Sequence, residues 1–90
     1  MSDLLKEKTT FNDDISNWDA SSVTVMENMF QDAAIFNQDI GSWDVSNITN
    51  MMKMLQRVES FNQDIGTWGV SSVTSMRFMF ANASDFNQDI

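Results

Sequence analysis

Hydrophobic and polar positions along this chain recur with a fixed spacing of 25 residues. Phe11, Phe36, Phe61 and Phe86 head the pattern, and Ile15, Ile40, Ile65 and Ile90 follow four places later. Trp18, Trp43 and Trp68 come next, then Ala20, Val45 and Val70, then Val23, Ile48 and Val73. The unit closes on Met26, Met29, Phe30 and Ala33, repeated as Met51, Met54, Leu55 and Val58, and as Met76, Met79, Phe80 and Ala83. A period of this length marks stacked repeats, in which each unit buries its apolar side against its neighbours.

Spacing within the unit predicts its local structure. Trp43 and Val45 flank Asp44 with strand alternation, and Trp and Val favour strands. Met51, Met54, Leu55 and Val58 fall at i, i+3, i+4 and i+7, which predicts a short helix. Thr24, Thr49 and Thr74 stand two residues ahead of each such stripe, as N-caps would, and Thr24 with Glu27 fits a capping box. A strand over Phe36–Ile40 is the rival assignment, but it would point Gln38 inward beside apolar neighbours. The Asn and Asp of that phrase suit a turn.

The expected fold is therefore an α/β repeat, a right-handed leucine-rich-repeat-like solenoid. Short parallel strands, about residues 17–21, 42–46 and 67–71, line its concave side and short helices its convex side. Strands stack about 4.8 Å apart and helices about 8–10 Å apart, so such a stack must curve. One domain spans 1–90, with full repeats at 11–35, 36–60 and 61–85 and a partial repeat at 86–90. Residues 1–10 are in phase with the predicted helical half: Met1 falls on Met26, Leu4 on Met29, Leu5 on Phe30 and Lys8 on Ala33. They are expected to form an N-terminal helical half-repeat that caps the stack.

The phrase Phe36-Asn37-Gln38-Asp39-Ile40-Gly41-Ser42-Trp43-Asp44-Val45-Ser46-Asn47-Ile48-Thr49-Asn50-Met51 resembles the BspA-like repeat family, the mycoplasma-type lipoprotein-associated 25-residue repeat. The resemblance covers residues 11–90. It implies kinship with leucine-rich repeats, whose strand pattern Ile40-x-x-Trp43-x-Val45-x-x-Ile48 echoes. It also implies a bacterial protein, often surface-exposed or lipid-anchored, with a role in adhesion and no assigned biochemical activity. This chain departs from the surface members: it has no cysteine for a lipid anchor, and Met1–Leu5 lack the basic segment of a signal peptide. The compartment stays open between the bacterial surface and the cytoplasm. Gly69 replaces the Asp found at Asp19 and Asp44.

Composition narrows the chemistry. With no His and no Cys, the chain lacks the common zinc, copper and haem ligands and the common nucleophile–base pairs. A net charge of −8 argues against nucleic acid and anionic membranes as partners, and no segment is long and apolar enough to insert. Every pair of carboxylates recurs with the repeat, whereas a catalytic site is a unique place. No catalytic, cofactor or metal site is expected, and the chain is not expected to be an enzyme.

Two surfaces remain. Asn17, Asp19, Ser21, Ser42, Asp44 and Ser46 are expected on a polar face, either simply solvated or the binding site of a protein or carbohydrate partner. Thr67, Gly69, Ser71, Phe86 and Ile90 are expected at an uncapped C-terminal end able to self-associate, a dimer being the first expectation. The function expected is a non-catalytic interaction module, with a self-associating structural role as the alternative. The ladder Asp14, Asp39, Asp64 and Asp89 suggests calcium between units as a minor alternative, against a simpler role in capping turn N–H groups.

Overall fold

A computed structural model describes residues 1–88. Units stack at a common pitch. The rings of Phe11, Phe36, Phe61 and Phe86 lie over one another with centroids 5.9, 5.9 and 6.0 Å apart and interplanar angles of 18°, 3° and 11°. Phe36, Ile40, Trp43, Val45, Ile48, Met51, Met54, Leu55 and Val58 of the middle unit are all buried, as the ladders predicted. The radius of gyration is 11.6 Å.

The α/β architecture is not there. Among the described residues there is no helix, and strand pairing is confined to isolated bridges joining Val25 to Asn50 and Asn50 to Ser75. The leucine-rich-repeat-like solenoid, with strands on a concave side and helices on a convex side, is thereby overturned in favour of a compact, mostly loop structure. Neither the Trp-centred segments nor Phe36–Ile40 form strands.

The backbone explains the error. Where a helix was expected, the chain makes a run of overlapping β-turns. Met29, Gln31 and Ala33 donate their N–H groups to the carbonyls of Met26, Asn28 and Phe30, three residues back. The N–H groups in between point out of the unit. Met26, Asn28, Phe30 and Asp32 donate to the carbonyls of Asn50, Met52, Met54 and Gln56 in the next unit. Met51, Lys53, Leu55 and Arg57 repeat this onto Ser75, Arg77, Met79 and Ala81. Buried backbone groups must be paired, and this scheme pairs them half within a unit and half between units. A helix would use all of them internally and leave nothing to join the units.

The turn run still buries Met26, Met29, Phe30 and Ala33 together. Apolar spacing at i, i+3, i+4 and i+7 therefore fits it as well as it fits a helix. It also removes the mismatch between strand and helix spacing, because inter-unit hydrogen bonds run on every side of the stack. Residues 1–8 are such a run. Asp3, Leu5 and Glu7 donate to Glu27, Met29 and Gln31, and the expected helical form is absent.

The threonines do not cap helices. Thr49 and Thr74 direct backbone N–H and Oγ1 alike to the carbonyl of the preceding threonine, Thr24 or Thr49.

Each turn run needs a left-handed residue every fourth position. Asp3, Glu7, Asn28, Asp32, Lys53, Arg57, Phe78 and Asn82 have φ between 57° and 64°. Asn and Asp tolerate this, whereas a side chain such as Lys carries a penalty of about 1–2 kcal/mol. Glycine would carry none, but it would cost the unfolded state's entropy advantage of roughly 0.4–1 kcal/mol. Lys53→Gly is thus expected to raise the melting temperature by a few degrees, and Lys53→Val to lower it. In a helix the glycine would instead cost about 1 kcal/mol. The sign of the shift in a thermal melt therefore tests the turn run directly.

Candidate functional site

The polar residues singled out from the sequence are mostly fixed by local turns. Asp19 Oδ1 accepts from Ser21 N at 2.9 Å and from Ser21 Oγ at 2.6 Å. Asp44 does the same with Ser46, at 3.0 and 2.6 Å. Asn17, Asp19, Ser42, Asp44 and Ser46 are exposed and Ser21 is half-buried. Asp19 and Asp44 lie close enough for the charge of one to oppose ionisation of the other. The face is one acidic stripe with its best acceptors already used. In the third unit Gly69 ends the stripe, with open space where a Cβ would be.

The second acidic ladder is also occupied with backbone. Asp14, Asp39 and Asp64 accept through Oδ1 from the N–H groups of Ser16, Gly41 and Gly66 at 2.8–2.9 Å. Beside them Asn12, Asn37 and Asn62 accept from the N–H groups of Asn37, Asn62 and Asn87 in the following units. Among the described residues no three His, Cys, Asp or Glu side chains converge to hold a metal ion. Asp89 lies outside the described residues.

These turns hold three carboxyls below the ordinary value of 3.8. Asp14 is lowered chiefly by the Ser16 N–H, and Asp19 and Asp44 chiefly by the hydroxyls of Ser21 and Ser46. A folded pKa below the unfolded one stabilises the fold above the unfolded value, and the contribution is lost as pH falls through the folded value. The melting temperature is expected to hold from pH 7 toward 5 and to fall below about 3.8. Replacing Asp14, Asp19 and Asp44 together by Asn should flatten that acid limb, because Asn keeps an acceptor oxygen that does not titrate. An unchanged limb in pH-dependent melts would refute the assignment.

The C-terminal end has a different character. An apolar hollow of about 170 Å³ is lined by Ile65, Trp68, Val70, Met76, Met79 and Phe80, with Gly66 at its edge. Met76 is 41% exposed and Val70 37%, whereas their counterparts Met51 and Val45 are buried at 0% and 2%. Beside the hollow, Phe78 is 49% exposed under the guanidinium of Arg77, 4.9 Å from its ring centre. The N–H groups of Phe78, Phe80 and Asn82 have no partner among the described residues, although their counterparts at Lys53, Leu55 and Arg57 all bond to the next unit.

The residues that the sequence singles out for this end are not the ones that line the hollow. Thr67, Gly69 and Ser71 are exposed there, and Phe86 instead packs inward on Phe61 and, at 4.3 Å, on Phe80. Ile90 lies outside the described residues. Of the six lining residues, Ile65, Trp68 and Met79 are buried as the ladders predict, Phe80 is half-buried, and Val70 and Met76 are exposed. No signal in the sequence separates Val70 and Met76 from the buried Val45 and Met51, because they carry the same residue types at the same places in the period.

The whole of this pattern, residues 1–90, matches one family model, described as Mycoplasma protein of unknown function, DUF285. The chain belongs to the DUF285 family. No curated protein and no solved structure matches it. The DUF285 chain has no helix long and apolar enough to cross a membrane among its described residues.

Proposed function

We propose that this DUF285 chain is a non-catalytic interaction module that binds an extended protein segment through the C-terminal end of its stack. The observation that carries this is the apolar hollow at Trp68, Val70 and Met76, bordered by backbone groups that have no partner among the described residues. A surface that joins exposed apolar side chains to free N–H and C=O groups suits a peptide backbone, which supplies both kinds of partner. It suits a carbohydrate less well, because polar side chains are scarce around it. The acidic stripe at Asp19 and Asp44 has no comparable anchor. The finer resemblance of residues 36–51 to BspA-like repeats agrees with a role in contact rather than catalysis.

Display selection of short random peptides against the folded chain tests this. Enriched peptides should lose binding to a Val70→Asp/Met76→Asp variant, whose two sites are already exposed and should tolerate charge. No enrichment, or binding that ignores the variant, would refute the reading.

Self-association is the second reading, and a specific match favours it. The free N–H groups of Phe78, Phe80 and Asn82 at one end are matched by the carbonyls of Ser2, Leu4 and Lys6 at the other, which also lack partners among the described residues. That match is head to tail, which builds rings or open chains and not a two-fold dimer. Sedimentation that stays monomeric at high micromolar concentration would exclude it.

A further inference from the structure

One place in the turn runs faces outward in every unit. Asp3, Asn28, Lys53 and Phe78 occupy it in four successive runs, with φ of 60°, 60°, 57° and 58°. None of the four is buried, and that includes Asn28 and Lys53, which have a unit on either side. The place is therefore an outer one by its position in the unit. Asp, Asn and Lys suit such a place. The fourth occupant is Phe, 49% exposed.

Folding alone does not account for Phe78. A bulky side chain at positive φ is strained, and the ring buries only about half of its surface in return. Asn, the residue at Asn28, takes the same backbone with less strain. Strain that the fold does not require gathers at functional sites. The surroundings of the ring set the chemistry. The Arg77 guanidinium stacks over it, 4.9 Å from its centre. Lys53 holds the same outer place one unit earlier, and its N–H bonds the Arg77 carbonyl at 2.9 Å. The chain carries 13 acidic residues against five basic ones, so a cation here has carboxylates in excess. Arg57 pairs with Asp32 at 3.3 Å, yet neither Lys53 nor Arg77 forms an ion pair among the described residues. The segments 11–25, 36–50 and 61–75 hold no basic residue at all. Lys53, Arg77 and Phe78 are thus a local exception on an acidic molecule.

We propose that Lys53, Arg77 and Phe78 form a docking patch on the outer side of the stack for a segment of a partner protein that carries Asp or Glu beside a large apolar residue. The carboxylate takes the forked N–H groups of Arg77, and Lys53 adds its charge. The apolar residue covers the part of the Phe78 ring that Arg77 leaves open. The patch shares no residue with the hollow, so this goes beyond the reading above and does not rest on it.

A long polyanion is the poorer occupant. The net charge of −8 repels it at range, and two unpaired cations neutralise few of its phosphates. A short segment with one or two carboxylates meets the cations without that penalty, and its apolar residue uses the exposed ring.

The test is display selection of short random peptides on the full chain carrying Val70→Asn/Met76→Asn, which strips the hollow of apolar wall without adding charge. Enriched peptides should place Asp or Glu beside Leu, Phe or Trp. Their affinity should fall at least about tenfold when Arg77→Gln or Phe78→Asn is added. It should also weaken as salt is raised. Phe78→Asn is expected to stay folded in a thermal melt, since Asn28 and Asn82 already hold that backbone. Arg77→Gln leaves the ring in place and tests the carboxylate contact separately. No enrichment, enriched peptides without acidic residues, or binding that ignores both variants would overturn the proposal. With the hollow altered throughout, each of these failures leaves the end-face reading untouched, and failure of that reading leaves this one standing.

Discussion

Phe36→Ala should cost about 3–5 kcal/mol, the range for a large aromatic removed from a packed core. Phe36 is wholly buried. Its ring stacks at 5.9 Å on Phe11 and on Phe61, and at 4.3 Å on Phe30. No single rotamer change can refill a gap that three rings face, so most of the cavity should persist. A chain of this size has a total stability of roughly 5–13 kcal/mol. The melting temperature should therefore drop by more than about 12 °C. Phe11→Ala is the control. Phe11 heads the same ladder but is only half-buried, with a stacked ring on one side. Its loss should cost about half as much, since the transfer and cavity terms both scale with what surrounds the ring. Equal shifts for the two variants in thermal melts would show that position in the stack does not govern stability.

The apolar ladders were legible because they depend only on which residues recur. Phe36, Ile40, Trp43 and Met51 face inward whatever the backbone does between them. Asp3, Leu5 and Glu7 bond to Glu27, Met29 and Gln31 through backbone alone, which depends on spacing and not on residue type. Secondary structure was not legible. A run of turns with a left-handed residue at every fourth place buries the same positions as a helix, and periodicity alone cannot separate them. Lys53, Arg57 and Phe78 gave no warning, because those residue types rarely take positive φ. Asn28, Asp32 and Asn82 at the equivalent places were the available hint.

The candidate site was half legible. Asp19 and Asp44 were rightly placed outside, and their turn role follows from Asx chemistry. The hollow was hidden by the very regularity that revealed the fold. Val70 and Met76 carry the same residue types as the buried Val45 and Met51, and nothing in the pattern marks them as exposed.

A chain in which Phe36–Ser60 is duplicated in tandem should fold and melt at a higher temperature than the original. The inserted unit would be an interior one, and the interior unit is the most completely paired part of the molecule. Its turn-run N–H groups all find acceptors, in the same run, in the next unit or, for Met52, at Asn50 Oδ1, and nine of its apolar side chains, Phe36, Ile40, Trp43, Val45, Ile48, Met51, Met54, Leu55 and Val58, are buried. In stacked repeats stability grows with each added unit and its interface. The end faces, with their exposed Leu4, Trp18, Val70 and Met76, would remain the same two surfaces and be diluted over a larger core. The companion variant duplicates the same segment but omits Ser60, one residue short of the period. Backbone-to-backbone hydrogen bonds between units join residues 24 to 26 apart, as in Met26 to Asn50, Thr49 to Thr24 and Ser60 to Ala34. Removing one residue shifts the alternation of inward and outward N–H groups. Donors would then face donors along the whole run, and each Phe would miss the ring below it. Such a slip should cost far more than one side chain, because it unpairs a row of buried backbone groups together. Circular dichroism melts of the two variants should therefore diverge in opposite directions from the original. A higher melting temperature for both would mean that the 25-residue register does not hold the fold together.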